Sequence, residues 1–167
     1  MKNKYKNQKG FGLVEMIIAV VIVGIGIIGT FSMISRFSEQ SKIVRDSFTA
    51  SYLAQEGIEI VKNIRDSNRL NERDWDYGLT SCYAGCEADY DDNVLYSFDS
   101  RFFYTNNLTG YYDYVEGGGK TKTYFKRMIT LVPTATDEID VMVTIYWEDK
   151  SIMTRSKIYN WGIWNQE

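Results

Sequence analysis

The chain has no histidine, a single proline (Pro133) and only two cysteines, Cys82 and Cys86. Histidine is the commonest general base and the commonest metal ligand, so histidine-based hydrolase triads and zinc sites are excluded. No other nucleophile–base pair stands in a recognisable motif, which argues against an enzyme, and nothing asks for a cofactor. Two thiols without a histidine make half a zinc shell. The body of the chain also lacks a basic excess. Four of the 19 basic side chains, Lys2, Lys4, Lys6 and Lys9, stand in the first ten residues, which hold no acid. The other 15 face all 22 acids, a balance of −7. That sign argues against nucleic acid as a partner, because phosphate binding needs a basic patch on the folded part.

What the sequence does have is concentrated apolar weight. Hydrophobic residues make up 44% of the 167, too many for a disordered chain and enough for one domain with a modest core. Mean hydropathy is nonetheless slightly negative, so most of the chain is soluble in character. The apolar weight lies in "KGFGLVEMIIAVVIVGIGIIGTFSMI", residues 9–34. Residues 16–34 number 19, close to the roughly 20 that span hydrocarbon. The basic residues before the segment place the N-terminus inside and the body outside.

Three readings of this segment compete. A cleaved secretory signal peptide has a shorter apolar core and a small-x-small site after it, and no Ala-x-Ala follows here. An uncleaved signal anchor explains the hydropathy and the lysines. It gives no work to Glu15, whose carboxylate would cost about 2.5–3.5 kcal/mol near a bilayer centre and less at the edge, where it can snorkel. The third reading cuts the chain between Gly10 and Phe11. Glu15 then becomes the fifth residue of the mature chain. Its carboxylate can neutralise the new amine of Phe11, from its own or a neighbouring chain, which offsets much of the burial penalty of either charge.

"KGFGLVEMIIAVVIVGIGIIG" resembles the class III signal of type IV pilins and type II secretion pseudopilins: a short basic leader ending in glycine, an aromatic residue, glutamate at mature position five, then an apolar helix. The resemblance implies that prepilin peptidase cuts after Gly10 and methylates the amine of Phe11, giving N-methylphenylalanine. It implies that Glu15 meets the Phe11 amine of a neighbouring subunit during assembly. Many major pilins carry a kinking proline about twenty residues into the mature chain, and this chain does not. Local unwinding around Gly24, Gly26 and Gly29 is one substitute, since each glycine weakens a helix by roughly 1 kcal/mol. Close helix packing in the membrane is the other reading of those glycines.

Beyond residue 34, Phe37, Val44, Phe48, Ala54, Ile58 and Val61 recur with helical period. The pattern predicts one helix from Phe11 to about Asp66, about 56 residues and about 84 Å long. Lys62 and Asp66, four apart, are placed to pair. Stop signals come at "RDSNRLN". Residues 71–93 read as loop. Short strand-like runs follow, "VLYSF", "RFFYTN" and "GYYDYVE", then a flexible "GGGK". "TYFKRMITLV" puts Phe125, Ile129 and Leu131 on one face. "IDVMVTIYW" puts Val141, Val143, Ile145 and Trp147 on one face, and "EDKS" links it tightly to "IMTRSKIYNW". These last three predict an antiparallel meander. The fold expected is α+β, the pilin fold: a long N-terminal helix packed on a C-terminal antiparallel sheet. The organisation expected is a cytoplasmic leader over 1–10, a transmembrane or filament-core half-helix over 11–34, an amphipathic half-helix over 35–66 and an extracytoplasmic head over 67–167.

Three features of the head are candidate sites. Cys82 and Cys86 read as a disulfide in an oxidising compartment, with free thiols as the alternative. "CEADYDDN" gathers Glu87, Asp89, Asp91 and Asp92, and "DWDYG" adds Asp74 and Asp76. Some pseudopilins use loop calcium, and hard oxygen ligands suit it, but neither segment is an EF-hand and a solvated acidic loop is the simpler reading. Tyr104, Tyr111, Tyr112, Tyr114 and Tyr124 are either core-facing strand residues or a contact patch.

Within the superfamily, "AQEGIEIVKNIRDSN", "WDYGL", "FKRMITL" and "YNW" look most like the PilV-like minor pilins, the type IV pilus modification proteins related to minor pseudopilin I of type II secretion. The function this implies is a minor pilin or pseudopilin that primes assembly or modifies the fibre. Its implied partners are prepilin peptidase, other pilin subunits, the assembly platform and the lipid bilayer. Its implied location is the inner membrane and then a pilus or pseudopilus. The alternative is a membrane-anchored adhesin or ligand-binding head with an uncleaved anchor.

Overall fold

The computed structural model describes Gly10 and residues 12–161. These fall into two compact units, one ending at Arg45 and one beginning at Asp46. A single helix, α1 (Leu13–Leu70), contributes to both. Its end lies four residues beyond the expected Asp66. The last turn is held by Asn68, whose buried side-chain amide donates to the carbonyls of Trp75 (3.2 Å) and Tyr77 (2.9 Å).

In the first unit α1 runs unbroken through Gly24, Gly26 and Gly29. The hydroxyls of Thr30, Ser35 and Ser38 each donate to the carbonyl four residues earlier. Those bonds satisfy the side chains within the helix, as an apolar solvent requires.

Among its described residues the second unit holds eight strands: β1 (Cys86–Glu87), β2 (Tyr96–Ser97), β3 (Tyr104–Asn106), β4 (Tyr112–Asp113), β5 (Lys120–Lys122), β6 (Phe125–Ala135), β7 (Glu138–Trp147) and β8 (Lys150–Tyr159). The main sheet has the order β2-β1-β6-β7-β8, and a small second sheet has the order β4-β3-β5. The meander β6–β7–β8 is antiparallel throughout, with Ile129 opposite Val143 and Leu131 opposite Val141. Period-two alternation does what it should: Phe125, Ile129 and Leu131, and Val141, Val143, Ile145 and Trp147, are all buried. Pro133 lies beyond the one position where β1 pairs with β6, so its missing N–H breaks no ladder on that side.

The helical face that meets the sheet carries Ala50, Leu53, Ala54, Gly57, Ile58, Val61 and Ile64. Small residues let the backbones approach. A Cβ on Gly57 would stand 2.9 Å from Val143 and 3.0 Å from Arg127. The expected stripe is corrected here: Ala54, Ile58 and Val61 are buried, but Phe37, Val44 and Phe48 are exposed, Phe48 by 62%. The expected Lys62–Asp66 pair does not form either. Lys62 reaches back to Glu59 at 2.8 Å, while Asp66 accepts from Arg65 and from the Trp161 indole.

Candidate functional site

In the first unit the Gly12 carbonyl accepts the Met16 amide at 3.2 Å, which makes Gly12 the helix N-cap. Glu15 stands in the first turn, and its Oε2 accepts the Gly12 amide at 2.9 Å. This is the acidic arm of a capping box, with a negative charge at the positive end of the helix dipole. The glutamate therefore has a partner within its own chain. Gly10 is exposed and precedes the helix. Phe11 and residues 1–9 lie outside the described residues, and with them the other half of the expected cleavage site and charge pair. From Leu13 to Ile34 the large apolar side chains are exposed, and the helix is long and apolar enough to cross a membrane.

In the second unit Cys82 and Cys86 are joined by a disulfide with a Cα–Cα distance of 5.4 Å. Closing so short a loop contributes about 2 kcal/mol by chain entropy, less than a long loop would. The bridged loop is also tied to β6, because the Cys82 carbonyl accepts the Leu131 amide at 3.2 Å. Gly85 is needed twice over: its φ is +102°, and a Cβ there would stand 2.9 Å from Met128.

Asp89, Asp91 and Asp92 line one cleft together with Arg101, while Glu87 is turned into the core. Glu87 is 1% exposed and binds the Arg101 guanidinium and the Asp99 amide. Asp89 is buried and accepts the amides of Tyr90 (2.8 Å) and Tyr114 (3.1 Å). Asp92 accepts the Asp89 amide at 2.6 Å, and Asp91 is exposed. Burial pushes the Asp89 carboxyl above the usual range, against the pull of those two amides. Among the described residues no three acidic or thiol groups gather as a metal site.

Residues 5–31 match the prokaryotic N-terminal methylation motif. That match supports the type IV pilin-like prepilins as the family. It points to a structural subunit rather than an enzyme. Together with the apolar helix it supports a membrane-anchored prepilin. No curated protein and no solved structure matches the chain.

The tyrosines divide between core and surface. Tyr114 is buried and stacked on Phe103 at 4.4 Å. Tyr112 and Tyr124 are half-buried against the core, and Tyr111 is 65% exposed. The residue that sequence reasoning passed over is Arg127. It is fully buried, donates to the carbonyls of Leu53 (3.1 Å) and Ala88 (2.5 Å), lies 5.0 Å from the Phe103 ring and pairs with Glu56 at 3.7 Å. The signal was available: Arg127 occupies the inward register of β6 between Phe125 and Ile129.

Proposed function

We propose that the chain is a minor subunit of a type IV pilus or secretion pseudopilus, of the PilV-like kind. Prepilin peptidase cuts it after Gly10 and methylates Phe11. The basic leader stays in the cytoplasm, and residues beyond the apolar helix lie outside the inner membrane. The subunit then leaves the bilayer and packs into a filament with other pilins, where it primes assembly or modifies the fibre. One observation carries the reading: the methylation motif over residues 5–31 coincides with an exposed Gly10, a first-turn glutamate and an apolar helix.

Mechanistically, Glu15 serves two states. In the described chain it caps its own helix through Gly12. Cleavage adds a cation, the amine of Phe11, which a neighbouring subunit's Glu15 can neutralise as the two helices come into register. Mass spectrometry of the N-terminus of protein isolated from producing cells tests the proposal. A chain beginning at N-methyl-Phe11 is expected. A chain beginning at Met1 would overturn it in favour of an uncleaved anchor carrying a binding head.

A further inference from the structure

A cleft of about 310 Å³ on the second unit is lined by Glu56, Tyr90, Gly110, Tyr111 and Tyr112. Tyr90 and Tyr111 form an open wedge, their ring centroids 5.9 Å apart and their planes inclined by 30°. Tyr112 stands perpendicular to the Phe103 ring, centroids 6.3 Å apart, and is half-buried. Glu56 is the one charged group of the lining.

Cations elsewhere in this unit sit over aromatic rings repeatedly: Arg73 on Tyr77, Arg101 on Tyr114, Lys126 on Phe102 and Arg127 on Phe103. Among the described residues none lies over Tyr90, Tyr111 or Tyr112. Nor is Glu56 fully answered. Its ion pair with Arg127 spans 3.7 Å, too long for a hydrogen bond, and Arg127 gives its close bonds to two backbone carbonyls. The cleft thus combines three tyrosines that carry no cation with a carboxylate whose one ion pair is long and shared with two backbone carbonyls.

We propose that this cleft binds an organic cation, an alkylammonium group seated against the tyrosine rings with its charge facing Glu56. The ring faces attract positive charge through their quadrupoles, and a half-desolvated site strengthens that attraction. Gly110 leaves the rim open, with nothing within 4 Å of its Cβ position. The electrostatics of Glu56 point the same way. Burial pushes its carboxyl above the usual range, Arg127 only partly offsets this, and Asp89 adds to it. A bound cation favours the ionised carboxylate by direct attraction and so opposes that shift.

The ammonium can be primary, as on a lysine side chain, or quaternary, and the test separates them. The full chain in an uncharged detergent, with isotope-labelled tyrosine rings, is titrated with Nα-acetyl-lysine amide and with tetramethylammonium. Nα-acetyl-norleucine amide, matched in length without the charge, and N-acetylglucosamine are the controls. Saturable shifts of the Tyr90 and Tyr111 rings by at least one cation are expected, and the tighter of the two identifies the source. Tyr111→Ala should weaken binding about fivefold. Glu56→Gln should weaken it further, both variants being titrated at a temperature where their melting profiles show them folded. Equal binding of the norleucine compound, a response to the sugar alone, or binding indifferent to Glu56→Gln each overturns the proposal, as does the absence of any saturable shift.

Discussion

At the scale of single residues, two charged side chains have opposite relations to their surroundings. Glu15 is exposed and bonded to the Gly12 amide, so its two possible contributions, helix cap and charge partner, separate by chemistry. Glutamine can serve at the third position of a capping box but carries no charge. Glu15→Gln should therefore keep helix content while failing to enter filaments, and Glu15→Ala should fail to enter them too. Membrane insertion should survive in both. Filaments that take up the glutamine variant normally would show that the cap, and not the charge, is what assembly needs. Arg127 is the reverse case, a charge with no water around it. Truncation to alanine leaves a cavity, two carbonyls short of a donor and Glu56 without its ion-pair partner, a loss of about 3–5 kcal/mol. Arg127→Met keeps the apolar volume and should recover much of that, because Glu56 is 33% exposed and can turn to water. Urea unfolding followed by the buried tryptophans Trp75 and Trp147 measures both. Equal loss in the two variants would refute the account.

At the scale of elements, the long patterns were legible and the short ones were not. Helix α1 and the meander β6–β8 declare themselves because each repeats one period for ten residues or more. Strands β1, β2 and β4 are two residues each, and their pairing depends on partners far along the chain, such as Cys86 with Ile129. No local pattern encodes that. The misassigned stripe has a physical cause as well. Hydropathy favours Phe48, but contact with the sheet selects Ala50, Ala54 and Gly57, whose value is their smallness. Arg127 was hidden by its polarity, although its register matched its apolar neighbours. The N-terminal signal was the most legible part, because glycine, aromatic, glutamate and apolar run stand at fixed spacing. The edge strand β8 makes a prediction of its own. Lys157 and Thr134 hold the Glu138 carboxyl below the usual range, and Arg155 does the same for Asp140. Between each lowered value and the ordinary one near 4, the folded chain binds fewer protons than the unfolded chain. The stability these pairs give is therefore present above about pH 4 and lost as pH falls through the lowered values. The Glu138→Gln, Asp140→Asn double variant should be weaker than wild type near neutral pH and converge with it in acid. Urea midpoints across that range test this, and a gap that persists undiminished in acid counts against it.

At the scale of the whole molecule, burial and exposure are divided sharply along the chain. Among the described residues every buried apolar side chain lies at Ala50 or later. From Leu13 to Phe37 the large apolar side chains are all exposed, an apolar surface that water does not tolerate in a monomer. The core that folds the chain and the surface that drives it into a membrane or a filament are thus separate stretches of sequence. The compact unit that begins at Asp46 contains the sheets, the disulfide and the packed face of α1. Its helical part is about 25 residues long, held by packing on the sheet rather than by helix propensity. A fragment spanning residues 46–167 should therefore be soluble without detergent, show near-ultraviolet ellipticity from its buried aromatics and melt cooperatively. Its midpoint should lie within a few degrees of that of the full chain in detergent, because no buried apolar contact has been removed. The full chain should need detergent or lipid to stay dispersed. A fragment that lacks a cooperative transition while its disulfide is intact would mean that residues before Asp46 contribute to the core, and the division of labour between fold and assembly would fail with it.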